Sequence, residues 1–334
     1  MRHWFKEYAG EQQLLLAVPF RDDVWRDQAK PAQQALSNLR DNLSAVIDVC
    51  CLTPETVAYD DIWLRDTLPL WFIDDTRDDW RGLLPQFDGW GGVQSHIEQD
   101  ARLSKQLFGE VVTGTDWTGE GGMFSHNGEW LLVGFTSLCK RNPGYPAAQL
   151  KQRIAEDFAP LRPVFIETCL SADETFGHID NLALFINDTT LIYSATDDPE
   201  HPDYPACRLV QQQLALLPDH IRQIALPLPY PQWPTSPERS GLKSAAGVMK
   251  RDTSVALLCS YVNVIVVGHH LVLPQYGLAE DDIALSIMKS ALPDYRIMTV
   301  NAREFVLGGG GLHCISHSLP RPLAQSLTVV DHAP

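Results

Sequence analysis

The feature that most constrains this fold is a unit that recurs along the 334 residues. A short apolar strand, often followed by a turn and a second strand, leads into an amphipathic helix and then another strand. Five such units, spaced by roughly 50 to 70 residues, predict a closed repeat architecture rather than two unrelated domains. Their predicted ranges are 12–60, 61–118, 119–168, 177–227 and 255–306. We therefore expect one α/β domain over residues 1–334, a five-fold ring of ββαβ units closed by residues 307–330 around a central site.

The hydrophobic pattern predicts individual elements within these units. Amphipathic periodicity predicts five helices, namely Pro31 to Leu43, Ser95 to Phe108, Ala147 to Phe158, Cys207 to Leu217 and Asp281 to Ala291. Short apolar runs predict strands at Leu14 to Val18, Val46 to Cys51, Leu70 to Ile73, Val111 to Val112, Gly121 to Phe124, Trp130 to Phe135, Val164 to Ile166, Leu182 to Ile186, Leu191 to Tyr193, Ile221 to Leu226, Val262 to Val267, Leu271 to Leu273 and Ile297 to Val300.

Four consecutive glycines, Gly308 to Gly311, precede His313 and Cys314. Glycine loses more backbone entropy on folding than any other residue and offers no side chain to pack. Such a run therefore marks a sharp turn or a place where another group approaches the backbone closely. Because Cys314 follows this unusual backbone, we interpret it as a nucleophile. His313 is its neighbour, and we expect it to cap the loop rather than to act in catalysis.

The charge balance limits the possible partners. Lys and Arg total 26 against 42 Asp and Glu residues, which gives a net charge of −16. This excess argues against nucleic acid and anionic membranes. It mildly favours a cationic ligand, although solubility explains it at least as well. The first residues lack the apolar core of a signal peptide, and no stretch approaches the length of a membrane span. Seven cysteines without a CxxC pair are typical of a reducing compartment, so we expect a cytoplasmic protein.

Three polar motifs stand near the starts of units. Asp66, in Trp63-Leu64-Arg65-Asp66, is either a partner of Arg65 or a carboxylate that binds a ligand. Glu120 lies between glycines, in an ordinary polar loop or at a site where a ligand approaches the backbone. His178 and Asp180 would project from one face if their segment is extended.

The pair His178 and Asp180 could bind a metal, act together in catalysis or bond within the core. No Cys and His cluster completes a zinc site, so a metal is the weakest of these alternatives. Three carboxylates around a cysteine suit a cationic electrophile, and a guanidinium offers five N–H donors in a plane that matches carboxylates. Its charge would also favour the thiolate that attacks. The residues thus predict a thiol enzyme that modifies a guanidine.

The same segments carry a family resemblance. Trp63-Leu64-Arg65-Asp66, Glu120-Gly121-Gly122, Gly177-His178-Ile179-Asp180-Asn181 and the glycine run with His313-Cys314 resemble the signature of the agmatine deiminases, a family that includes the bacterial peptidylarginine deiminases. Further similarity runs through Arg141-Asn142-Pro143, Ser260-Tyr261-Val262-Asn263 and Leu273-Pro274-Gln275-Tyr276-Gly277. One departure lies in the glycine run, where Gly311 replaces a usual Asn. Others, such as Phe87-Asp88-Gly89-Trp90, alter the expected channel wall.

The resemblance implies the pentein fold, a five-fold α/β propeller, and hydrolysis of a small cationic guanidine substrate without a metal or a cofactor. It implies that Cys314 attacks the guanidinium carbon and that Asp66 and Asp180 hold the nitrogens. His178 would act as acid and then base. Glu120 and Trp63 would contribute to substrate binding.

The favoured reaction is the conversion of agmatine to N-carbamoylputrescine and ammonia, within polyamine biosynthesis. The alternatives are a deiminase of arginine or peptidyl-arginine, an amidino transferase and a binding protein without turnover. A homodimer is possible.

Overall fold

The computed structural model describes residues 1–76 and 79–327. Within these ranges the strands, in chain order, are β1 (Arg2–Trp4), β2 (Gln12–Ala17), β3 (Asp48–Leu52), β4 (Leu70–Asp74), β5 (Asp79–Gln86), β6 (Val112–Thr118), β7 (Phe124–His126), β8 (Trp130–Gly134), β9 (Arg162–Ile166), β10 (Ala183–Asn187), β11 (Thr190–Ala195), β12 (Arg222–Pro227), β13 (Ile265–Val267), β14 (His270–Gln275), β15 (Arg296–Asn301) and β16 (His317–Pro320). The helices are α1 (Lys30–Ser44), α2 (Leu64–Thr67), α3 (Gly89–Gly92), α4 (Asp100–Phe108), α5 (Phe135–Arg141), α6 (Ala147–Asp157), α7 (Tyr204–Leu214), α8 (Glu280–Ala291), α9 (Arg303–Gly308) and α10 (Arg321–Ala324).

The described strands form five small sheets that share one topology. In each sheet a central strand pairs antiparallel with one neighbour and parallel with the strand that follows the intervening helix. The strand orders are β16-β2-β3, β1-β4-β5-β6, β7-β8-β9, β10-β11-β12 and β13-β14-β15. Parallel neighbours need a crossover connection, and α1, α4, α6, α7 and α8 lie in these crossovers. The number of sheets equals the number of repeat units predicted from the sequence.

The first sheet is completed from the far end of the chain. β16 pairs antiparallel with β2, with His317 opposite Leu15 and Leu319 opposite Gln13. Leu14, Leu15, Leu16 and Leu319 are fully buried there. The segment predicted to close the ring, residues 307–330, thus supplies β16, although residues 328–330 of it lie outside the described ranges.

The five predicted helices form, with changed boundaries. α1 buries Ala32, Leu36, Leu39 and Leu43, a spacing that puts them on one face of a helix. The helix predicted from Ser95 begins only at Asp100.

Several strand predictions were wrong or incomplete. β5 was missed because Asp79 to Gln86 contains charges, a glycine and a proline. The predicted strand Gly121 to Phe124 begins instead with a 3-10 turn over Gly121–Met123. β1 and α5 were also missed. None of the described helices has the length and hydrophobicity required to cross a membrane.

The closing strand makes a stability prediction. Leu319 has no exposed surface, whereas Leu216 is 70% exposed. Leu319→Ala should lower the free energy of unfolding by about 2–5 kcal/mol, because it leaves a cavity between β16 and its neighbours. The matched control Leu216→Ala should stay within about 0.5 kcal/mol of the parent. Urea denaturation measures both, and equal effects would show that β16 does not contribute to the core in this way.

Candidate active site

Cys314 lies in the turn between α9 and β16 and is 7% exposed. Its Sγ is 3.3 Å from Nδ2 of Asn263 and 3.6 Å from Oδ2 of Asp180. Burial and the charges of Asp180 and Asp66 raise the pKa of the Cys314 thiol well above its ordinary value. In the ligand-free protein Cys314 is therefore a thiol at neutral pH, and an incoming positive charge would favour the thiolate.

The glycine run brings several groups close to the backbone beside Cys314. Gly309 has a φ of +117°, a backbone conformation that residues with a side chain rarely adopt. A Cβ on Gly310 would lie 2.6 Å from the indole of Trp63, and one on Gly311 would lie 2.3 Å from Oδ1 of Asn263. Gly311 is thus required by the position of Asn263, which contacts the thiol.

Asp66 sits in the short helix α2 and is buried. Its Oδ2 accepts a hydrogen bond from the indole Nε1 of Trp90 at 2.8 Å, and its Oδ1 accepts one from the backbone N–H of Gly122 at 3.0 Å. Burial raises the pKa of Asp66 to about 6, although His178 opposes this shift. The alternative that Asp66 pairs with Arg65 is wrong, because Arg65 forms its ion pair with Glu7.

His178 is 1% exposed and lies between two carboxylates. Its Nε2 is 3.3 Å from Oε2 of Glu120, and its Nδ1 is 3.9 Å from Oδ1 of Asp66. Burial alone would lower the pKa of His178, but these two carboxylates raise it to about 10. His178 therefore carries a proton at neutral pH and can donate it. The loop before it is fixed by Asp173, whose Oδ2 accepts hydrogen bonds from the backbone N–H groups of Gly177 and His178.

Glu120 lies behind His178 and has no exposed surface. Besides His178, it pairs with Arg141, which also binds Asp88. The interpretation of Glu120 as part of an ordinary polar loop is wrong, since its side chain is entirely buried. Its contacts are with protein groups, so its predicted role in substrate binding remains a prediction.

Asp180 lies in a 3-10 turn over Ile179–Asn181, so the condition of an extended segment is not met. It has no exposed surface. Its Oδ2 accepts a hydrogen bond from Nδ1 of His313 at 2.8 Å, while its Oδ1 has no partner among the described residues. Burial opposes ionisation, but His313 outweighs it and holds the pKa of Asp180 below its usual range. Asp180 is thus an ionised acceptor whose Oδ2 lies 3.6 Å from the thiol and whose Oδ1 is unused among the described residues.

A cavity with about 740 Å³ of empty space, including its open mouth, leads to Cys314. Trp63, Asp66, Trp90 and His178 line it near the thiol. Farther along its wall, Glu174 and Arg251 form a bidentate ion pair, with Nη1–Oε1 and Nη2–Oε2 distances of 2.5 and 2.6 Å. Glu120 and Asp180 are entirely buried, and they contact His178 and Cys314, which line the cavity. The site can therefore bind a cation close to a protected thiol and a protonated imidazole.

Sequence reasoning missed four contributors to this site. Asn263 contacts the thiol, and Trp90 donates a hydrogen bond to Asp66. Both residues stand in segments that were compared with the family, but the sequence assigned a role to neither. Trp90 adopts φ +57°, a strained conformation for a tryptophan that no local pattern signals. Glu7 binds Nε2 of His313 at 3.0 Å, so His313 does more than cap its loop. Arg65 pairs with Glu7 rather than with the adjacent carboxylate.

Comparisons with known proteins agree with this fold. The profile of the Porphyromonas-type peptidyl-arginine deiminases matches residues 3–320. An inferred agmatine deiminase of Vibrio parahaemolyticus is 30% identical over 94% of this chain and 95% of its own length. The agmatine deiminase of Pseudomonas syringae pv. tomato is 28% identical over 96% of both chains. The solved agmatine deiminase of Enterococcus faecalis superimposes with a TM-score of 0.87 at 25% identity, over 96% of each chain.

The chain belongs to the Porphyromonas-type peptidyl-arginine deiminase family. The resemblance seen in the sequence is thereby confirmed, and so is the α/β pentein class of the fold. As a member of this group the protein is a hydrolase that acts on carbon–nitrogen bonds.

The proton on His178 can be tested directly. Glu120→Gln removes one of its two carboxylates, so the pKa of His178 should fall by about one pH unit or more from its value of about 10. The control Asp88→Asn also removes a carboxylate from Arg141 but does not touch His178, and should leave that pKa unchanged. NMR titration of labelled imidazoles, assigned with His178→Gln, measures it. Equal pKa values in both variants would contradict the assignment.

The fit of Gly311 makes a second prediction. Gly311→Ala should lower the free energy of unfolding by about 1–3 kcal/mol, because the new Cβ would overlap Asn263. Gly144 has no atom within 4 Å of an added Cβ, so Gly144→Ala is the matched control and should change stability by no more than about 0.5 kcal/mol. Denaturant unfolding compares them, and an equally stable Gly311→Ala would contradict the tight fit.

Proposed function

We propose that this protein hydrolyses the guanidinium group of a small cationic substrate, with agmatine favoured, to a ureido product and ammonia. The observation that carries the proposal is Asp180, a fully buried ionised carboxylate. Its Oδ1 has no partner within the described part of the chain, and its Oδ2 lies 3.6 Å from the thiol of Cys314. A buried charge with an unused acceptor is unfavourable unless a donor completes it. A guanidinium supplies N–H donors in one plane for the carboxylate, and its positive charge favours the thiolate form of Cys314.

In the proposed reaction, Asp66 and Asp180 accept hydrogen bonds from the guanidinium nitrogens and set its carbon opposite Cys314. The substrate's charge opposes the effects that raise the pKa of the thiol, so the proton of Cys314 leaves to solvent. The Sγ then forms a bond to the guanidinium carbon. The carbon–nitrogen bond breaks as His178 gives its proton to the departing ammonia, leaving a thiouronium on Cys314.

Water completes the cycle. His178, now neutral, takes a proton from water as the oxygen bonds to the thiouronium carbon. The new hydroxyl then releases its proton to solvent as the carbonyl forms and the carbon–sulfur bond breaks. These steps release the ureido product and return His178 to its charged form. The Cys314 thiolate regains a proton from solvent, and ammonia takes up another. Guanidinium and water thus become urea derivative and ammonium, with no cofactor required.

Support for agmatine comes from the relatives named as agmatine deiminases and from the net charge of −16, which favours a cationic ligand. Trp63 lines the cavity and would flank the substrate. Glu120 would act through its contact with His178. A single domain of five repeat units, a cytoplasmic location, a role in polyamine biosynthesis through a putrescine precursor, and a homodimer remain predictions.

The test compares agmatine, free arginine and an arginyl peptide, with ammonia and ureido product measured together. Agmatine should react fastest and release the two products in equal amounts, which would exclude amidino transfer to an amine. Cys314→Ala should lower turnover by on the order of 10⁴ or more, because it removes the sulfur that forms the covalent intermediate. Cys139 is another thiol, on α5, so Cys139→Ala serves as the control and should retain parental activity.

If arginine or the arginyl peptide reacts and agmatine does not, that compound and not agmatine is the substrate. Failure of all three substrates, or full activity of Cys314→Ala, would overturn the mechanism.

A further inference from the structure

Behind Cys314 runs a chain of hydrogen bonds that the proposed reaction does not use. Glu7, in the segment between β1 and β2, binds Nε2 of His313 through Oε2 at 3.0 Å. Nδ1 of His313 binds Oδ2 of Asp180 at 2.8 Å. That oxygen is also the one beside the Sγ of Cys314. The N-terminal segment is thereby connected to the nucleophile through three side chains.

We propose that Glu7 and His313 are positioning residues of the active site, which orient the carboxylate of Asp180 for the substrate. His313 engages Oδ2 and leaves Oδ1 free, so the carboxylate can accept a guanidinium N–H in one fixed rotation. Glu7 in turn holds the ring of His313. This inference rests on the proposed function, because Asp180 needs a fixed orientation only if it receives a cationic substrate.

The charges around His313 support this role. Its neighbours are the carboxylates of Glu7 and Asp180, the guanidinium of Arg65 and the ring of His317. Burial and Arg65 oppose protonation of His313, but the two carboxylates outweigh them and raise its pKa. Burial keeps His317 neutral by lowering its pKa to about 3. The charged form of His313 is therefore favoured, and it compensates Asp180 in a site from which water is largely excluded.

Arg65 supports the same arrangement from the other side. It forms an ion pair with Glu7, and its Nε lies 3.4 Å from the backbone carbonyl of His313. Its own backbone N–H donates to the carbonyl of Cys314 at 3.2 Å. Arg65 thus fixes both Glu7 and the backbone that presents the nucleophile. Glu7 remains about one-third exposed, so its environment responds to solvent while Asp180 stays dry.

The experiment measures binding without turnover. Each variant is made in the full chain carrying Cys314→Ala, and agmatine binding is followed by calorimetry from pH 6 to pH 9. His313→Asn can keep the donor to Asp180 but cannot reach Glu7, whereas His313→Gln reaches toward Glu7 and loses that donor. Glu7→Gln removes the charge that sustains the imidazolium, and Glu11→Gln changes an exposed carboxylate of the same segment.

We expect Glu7→Gln and His313→Gln to weaken agmatine binding about tenfold or more. His313→Asn should weaken it less, and Glu11→Gln should match the parent. In Glu7→Gln the pKa of His313 should fall. As the pH is raised, the loss of agmatine binding should therefore begin at a lower pH than in the parent. A purely structural role would lower the urea midpoint without moving this pH dependence.

Parental affinity and pH dependence in Glu7→Gln and His313→Gln would overturn the positioning role while leaving the proposed function intact. If the parent Cys314→Ala protein binds none of agmatine, arginine or the arginyl peptide, the proposed function itself fails, and the role assigned to Glu7 and His313 fails with it.

Discussion

The constraint on which this site depends is the balance of charge in a nearly dry interior. Ionised groups inside a protein are stable only when opposite charges and hydrogen bonds compensate the loss of water. Around Cys314 the compensation is arranged in pairs, His178 with Glu120 and His313 with Asp180. In each pair one group remains available for a different task. His178 retains a proton to give, and Asp180 retains an oxygen that can accept.

This balance also keeps Cys314 in its unreactive thiol form when no substrate is bound. The carboxylates that would attract a guanidinium are the same ones that raise the pKa of Cys314. A reactive thiolate is therefore expected only when a cation has entered. Selectivity for the substrate and protection of the cysteine then have one physical origin, since a neutral molecule in the cavity could not activate the nucleophile.

The sequence predicted the parts of the fold that short-range patterns encode. Continuous apolar runs located strands such as β2 and β11, and the stripe of Leu36, Leu39 and Leu43 located α1. β5 escaped because its stability comes from two neighbouring strands, not from its own polar and proline-containing sequence. In the site, motifs near the starts of units identified the groups that meet around Cys314. Glu7 could not be found in this way, because its contact with His313 joins the two ends of the chain.

The pairing of β16 with β2 has a consequence for the synthesis of the protein. One strand of the first sheet, the nucleophile and the glycine run all follow the other four sheets along the chain and are translated after them. The first sheet consequently waits on the ribosome with β2 unpaired on one edge, an exposure that favours association with other strands. Contacts so distant in sequence form slowly. A nascent chain can thus assemble most of its sheets before it possesses a functional thiol, and its chemistry begins only when its ends meet.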